Sequence, residues 1–148
     1  MLINLLMGLS IMLICLGLQI ILLLAVIRHY QRRQQRKPAR SFSANLSAAG
    51  SIMLLLVLGN LIQIGIWGML FQYLDEFQTF ADAFYHSAVN FSTLGYGDLV
   101  MSARHRLLGP LESVNGILMI GLSTSALMTA LQNTMRQTLK SRSAPTDD

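Results

Sequence analysis

The sequence predicts an all-α integral membrane protein: three transmembrane helices, plus a short re-entrant helix that leads into a non-helical loop. Three observations carry that prediction. The 148 residues are 53% hydrophobic and only 12% charged, which is a membrane composition. Three apolar stretches are each long enough to cross a bilayer, a task that takes about 20 residues. A fourth apolar segment, Phe80 to Phe91, is too short to cross and runs directly into a glycine-rich string.

The first helix is predicted over residues 1–27. No basic residue precedes it, it is too long for a signal-peptide core, and no small-x-small site closes it, so it reads as an uncleaved helix. A basic run follows: Arg28, Arg32, Arg33, Arg36, Lys37 and Arg40. It predicts a cytoplasmic loop over 28–47 and a first helix whose N-terminus is outside. The partner expected for the run is anionic lipid headgroups. Nucleic acid is excluded as a partner, because the run is short and joined directly to two spans. Cys15 is the only cysteine, so neither an intrachain disulfide nor a thiolate metal site is expected.

The second span is predicted from about residue 48 to 71. Its Asn60 and Gln63 read as interhelical hydrogen bonders, beside Gly59, Gly65 and Gly68, which permit close helix approach. The acidic Asp75, Glu76, Asp82 and Asp98 all fall between the second and third spans. Three crossings place that segment outside and the tail, residues 133–148 with Arg136, Lys140 and Arg142, in the cytoplasm.

Thr79 to Asp82 has the form of a helix start, with Thr79 as N-cap and a carboxylate three residues on. The helix is predicted over 80–92. Its C-terminus carries partial negative charge, which favours a cation held there. A re-entrant helix and loop at membrane depth are tolerated only where protein or a water-filled cavity surrounds them.

Residues 93–98 read Thr-Leu-Gly-Tyr-Gly-Asp, and Thr-x-Gly-Tyr-Gly is the string by which potassium filters are known. A K⁺ ion entering a narrow pore exchanges water oxygens for protein oxygens. An ordinary strand alternates its carbonyls, so aiming several at one axis requires unusual dihedrals. Gly95 and Gly97 can take φ > 0 at little steric cost. Thr93 adds a hydroxyl, and Tyr96 can brace the loop. The expected site is therefore Thr93, Leu94, Gly95, Tyr96, Gly97 and Asp98, with K⁺ on the backbone carbonyls of residues 93–96. K⁺ is then the permeant ion, and no cofactor is expected. One chain holds one filter strand, so a four-fold carbonyl ring requires a homotetramer.

The segment from Ala83 to Asp98 resembles the pore helix and filter of the potassium channel superfamily. Residues Gly121 to Ala130 resemble the inner helix of its bacterial two-helix members. The resemblance implies a pore domain over 48–132, with an inner helix over 107–132, a bacterial inner-membrane location, and an additional first helix. It implies a hinge at Gly121. It places His86 where relatives carry a tryptophan that braces the filter tyrosine, so a His86–Tyr96 hydrogen bond is expected. Val89 stands where some relatives carry a glutamate behind the filter. Glu112 has two readings: a carboxylate favoured by the first turn of the third span, or a replacement for that glutamate.

Counting helically from Gly121, Ser125 and Thr129 share its face and are expected to line a wet cavity. Asn115 reads as an interhelical hydrogen bonder, and His105 as a solvated loop residue. The function expected is a potassium-selective channel subunit that conducts passively. The alternatives are a less selective cation channel and a K⁺ transport subunit that needs a partner. An enzyme is not expected: His86, His105 and Glu112 lack metal-binding spacing. No helix carries regularly spaced arginines, so no voltage sensor is expected.

Overall fold

A computed structural model describes residues 1–36 and 42–142. The chain there forms α1 (Leu2–Arg36), α2 (Phe42–Tyr73), α3 (Phe80–Phe91) and α4 (Leu108–Arg142). Three of these contain spans apolar and long enough to cross a membrane: Leu2–Arg28, Gly50–Tyr73 and Leu108–Thr129. α3 has 12 residues, about 18 Å at the helical rise, and cannot cross.

The helices outrun their expected limits at one end of the bundle. The segment predicted as a loop over 28–47 is helical as far as Arg36 and again from Phe42. Arginine and glutamine are good helix formers, and no glycine or proline interrupts the chain between Arg28 and Arg36. Arg28, Arg32, Arg33 and Arg36 therefore belong to α1, while Lys37 and Arg40 lie outside the described residues. α4 likewise continues to Arg142, through much of the expected tail.

α1 runs antiparallel to α2 and parallel to α4. Asn4 donates to the Arg104 carbonyl at 2.5 Å, and further along Gln19 meets both Gln63 and Ser123. The chain's N-terminus is thus on the same side as the α2–α4 connection. Three apolar clusters follow the bundle axis. Cys15, Trp67, Phe71, Ala83 and Leu108 form one, Ile64, Phe91 and Met119 the second, and Val26, Ile52 and Leu56 the third. Large apolar side chains such as Leu13, Ile21 and Leu54 are exposed around the outside. In water such a surface would drive aggregation, and in a bilayer it is the wetted face.

α2 ends because Asp75 enters the left-handed region at φ 56°, while the Asp75 and Glu76 amides donate back to the Gln72 and Phe71 carbonyls. The chain then reverses into α3, whose backbone passes close to α2. A Cβ on Gly68 would lie 3.1 Å from Phe84 Cα. Gly59 serves a different contact, facing the Leu22 side chain of α1.

Candidate functional site

Thr79 caps α3 as its sequence suggests. Its hydroxyl oxygen accepts from the Asp82 amide at 3.1 Å, and its proton goes to the Asp82 carboxylate at 2.7 Å. The other end of α3 feeds the glycine-rich segment directly. The amides of Ser92, Thr93 and Leu94 donate to the carbonyls of Ala88, Asn90 and Val89, and the Gly95 amide also reaches Val89 at 3.4 Å. The last turn of α3 is thereby closed by the residues that follow it.

Beyond that turn the backbone alternates. Thr93, Gly95 and Gly97 take φ of 60°, 62° and 74°, so every second residue is left-handed. Such alternation cancels the normal reversal of a strand and lets successive carbonyls share one side. The two glycines were expected to do this. Thr93 was not: a β-branched residue at φ 60° is an outlier, a strain of about 1–3 kcal/mol that the surrounding contacts must hold. Residues 92–98 are exposed within one chain, and a Cβ at Gly95 or Gly97 would meet nothing within 4 Å. The dihedral, and not crowding, is what demands glycine there.

Two neighbouring residues of α3 grip the last residue of this segment and the one after it. The Tyr85 hydroxyl donates to Asp98 at 2.8 Å. That hydroxyl holds the Asp98 carboxyl below its usual range, and the carboxylate in turn raises Tyr85. His86 Nδ1 donates to the Leu99 carbonyl at 2.9 Å, and its Nε2 accepts from the Asn90 amide at 2.8 Å. The expected His86–Tyr96 pair is therefore not formed within the chain. An imidazole has two ring nitrogens, both are occupied, and Tyr96 is 67% exposed. His86 is wedged between Phe71 and Phe77, and Val89 supports the segment through its carbonyl.

Glu112 lies fully buried against Ser87 of α3, whose hydroxyl it contacts. Because α4 starts at Leu108, Glu112 lies beyond the first turn, which holds no acidic residue. The first-turn reading of Glu112 is thereby replaced by a contact with α3. Asn115, one turn further along, is buried, and the neighbour it has across a helix interface is the Cys15 thiol of α1; neither amide atom has a partner in good hydrogen-bond geometry. Gln63 does make the interhelical bond expected of it, donating to Gln19 Oε1 at 2.8 Å.

Gly121, Ser125 and Thr129 are all exposed on α4, opposite the face that carries Glu112, Asn115, Met119 and Ser123. A Cβ at Gly121 would meet nothing within 4 Å. The glycine under pressure is Gly116, where an added Cβ would run into the Phe91 carbonyl.

The connection after the glycine-rich segment is tied down by Glu76. Its carboxylate accepts from the Ser102 amide at 2.6 Å, the Ser102 hydroxyl at 2.7 Å and His105 Nδ1 at 2.5 Å. Burial works against the charge on Glu76, but the bonds from Ser102 and the neighbouring His105 outweigh it and hold the carboxyl below its ordinary range. His105 is thus buried and paired rather than solvated.

Sequence reading missed Tyr85, Ser87, Asn90, Glu76 and Gly116. Gly116 carried the clearest available signal, a small residue within an apolar span. No group of three or more histidine, cysteine, aspartate or glutamate side chains able to hold a metal occurs among the described residues. A family model described as an ion channel matches residues 59–133, just over half of the chain. No curated protein and no solved structure matches.

Proposed function

Since the chain belongs to this ion channel family, we propose that it is a potassium-selective channel subunit, four copies of which surround one pore. The observation that carries the proposal is the alternation of φ at Thr93, Gly95 and Gly97, within the string Thr-Leu-Gly-Tyr-Gly-Asp and at the C-terminus of α3. Carbonyls of residues 93–96 replace the hydration shell of K⁺, and the α3 dipole favours the cation below them.

The exposure of that strand supports its being covered by further copies of the chain. Polar backbone at membrane depth cannot face lipid, and one chain leaves residues 92–98 uncovered. Further copies and the water of the pore supply the cover. α4 then lies innermost, with Gly121 as the hinge and Ser125 and Thr129 facing the cavity. α1 lies on the periphery, its N-terminus and the filter mouth outside. The basic end of α1 lies inside, against anionic headgroups.

Purified protein in liposomes tests this reading. Flux driven by a K⁺ gradient should far exceed flux driven by an equal Na⁺ gradient. Equal fluxes would overturn selectivity, and cross-linking that stops at dimers would overturn the four-fold pore.

A further inference from the structure

All four helices send a polar group to one buried place behind α3. α1 contributes Cys15, whose thiol lies against Asn115 and Trp67. α2 contributes Trp67 and the Ile64 carbonyl, α3 contributes Ser87, and α4 contributes Glu112 and Asn115. Cys15, Trp67, Ser87, Glu112 and Asn115 each have 0% exposure. Yet Trp67 Nε1, Glu112 Oε2 and both amide atoms of Asn115 have no protein partner in good hydrogen-bond geometry; the Cys15 sulfur lies beside Trp67 and Asn115, and the Asn90 side chain beside Glu112. Buried polar atoms are costly when unpaired, and four so close together call for a common ligand.

The chemistry of those atoms selects it. Trp67 Nε1 and Asn115 Nδ2 can only donate, while Glu112 Oε2 and Asn115 Oδ1 stand ready to accept. A bare cation would satisfy the acceptors and be repelled by the donors. An anion would do the reverse, beside a carboxyl group. Water does both, and commonly makes two to four such bonds in a buried site. A half-open, mostly apolar groove of about 160 Å³ between α1 and α4 borders the cluster at Asn115, beside Leu9, Met12 and Leu118.

The state of Glu112 follows from counting protons. The Ser87 hydroxyl has a single proton and touches two oxygens, the Ile64 carbonyl at 2.7 Å and Glu112 Oε1. The carbonyl can only accept. If Ser87 donates to it, Glu112 must be the donor in the second bond and is a neutral acid. That arrangement also avoids a lone charge at membrane depth, where no lysine or arginine pairs with Glu112 among the described residues.

We infer that this place is a binding site for one or two waters, closed by a neutral Glu112, through which the added helix α1 and the inner helix α4 fix the height of α3. Cys15 seals it on the α1 side.

Trp67 is the only tryptophan in the sequence, so a ¹⁵N-indole spectrum of the native protein in nanodiscs contains one reporter resonance. The expected result is a direct NOE between the Trp67 indole N–H and water, lost in Asn115→Leu. An indole without water contact in the native protein would overturn the site. Infrared spectra at neutral pH should contain the C=O stretch of a protonated carboxylic acid, present in the native protein and absent in Glu112→Gln. Its absence from the native protein would overturn the neutral acid. Glu112→Gln keeps a donor toward Ser87 and should keep the Trp67–water NOE, whereas its loss there would show that the acid itself holds the water and overturn the proton count. Neither readout depends on which ion passes, so failure here is distinct from failure of potassium selectivity.

Discussion

At the end of the bundle that carries the glycine-rich segment, Glu76 alone accepts three hydrogen bonds, and Tyr85 and His86 each hold a residue of the returning chain. At the opposite end, Val26, Ile52 and Leu56 form an apolar cluster with Leu23 and Ala126. The difference has a structural cause. A non-helical segment leaves backbone groups that its own structure cannot pair, so side chains must position it. Helices pair their own backbone and need only van der Waals contact between them. One end is therefore held in a single geometry, while the contacts of the apolar cluster at the other carry no directional constraint and can slide more readily. In the proposed channel, the glycine-rich segment lies at the fixed end, and a gate belongs to the more movable one.

The largest break in this contrast should come from Gly116→Ala. Its new methyl group meets the backbone of Phe91, which cannot rotate away as a side chain could. Overpacking of this kind typically costs about 1–3 kcal/mol, and here it pushes α4 off the end of α3. Thermal unfolding in detergent should fall by several degrees, and conduction should be lost. Gly121→Ala, in open space, should leave unfolding almost unchanged and alter only gating. Equal destabilisation by the two substitutions would mean that α4 is not registered against α3 in this way.

Next in size is Gly95→Ala. Its cost is dihedral, about 1–2 kcal/mol for a left-handed alanine, and it acts on carbonyls that the proposed function needs. Potassium flux should vanish while the folded protein keeps its native elution position on a sizing column. Retained K⁺ over Na⁺ discrimination would show that the alternation of φ is not what selects the ion.

The fixed end was largely legible in the sequence, because its parts are local. Thr79, Asp82, Gly95 and Gly97 act within a few residues of their position, so spacing and residue type sufficed. Long-range pairings were not legible. Glu76 finds Ser102 and His105 across 26 and 29 residues, and nothing in the spacing of an acidic loop announces its partner. His86 was assigned to the right neighbourhood, but within the chain its two nitrogens serve Leu99 and Asn90. The helices' true lengths were hidden by charge: a basic run reads as a loop between spans, although arginine and glutamine favour a helix that continues beyond the apolar part.

Acid should loosen the fixed end selectively. The folded Glu76 carboxyl is held below its ordinary range, so it binds protons less readily folded than unfolded. Its stabilisation is complete above the ordinary glutamate value of about 4.3 and is lost as pH falls through the lower folded value. Unfolding temperature should decline over that acid window in the native protein. Glu76→Gln should lose about 1–2 kcal/mol at neutral pH and show a flatter acid decline. A native protein equally stable on both sides of the window would remove Glu76 from the clasp.

The smallest effect expected concerns the glutamine link between α1 and the rest of the bundle at mid-depth. Gln63 donates to Gln19, and Gln19 donates to Ser123 at 2.9 Å, all three side chains being buried. Interhelical hydrogen bonds within membranes are weak, about 0.6 kcal/mol on average by double-mutant cycles. Gln19→Leu removes two bonds and leaves the Gln63 amide without an acceptor, so the single change should cost more than that average. Gln63→Leu leaves Gln19 still bonded to Ser123 and should cost less. The double variant should be less destabilised than the sum of the singles, because no orphaned donor remains. Additive losses in the cycle would mean that α1 is held by its leucines alone, and the movable end would then extend to the level of Gln19.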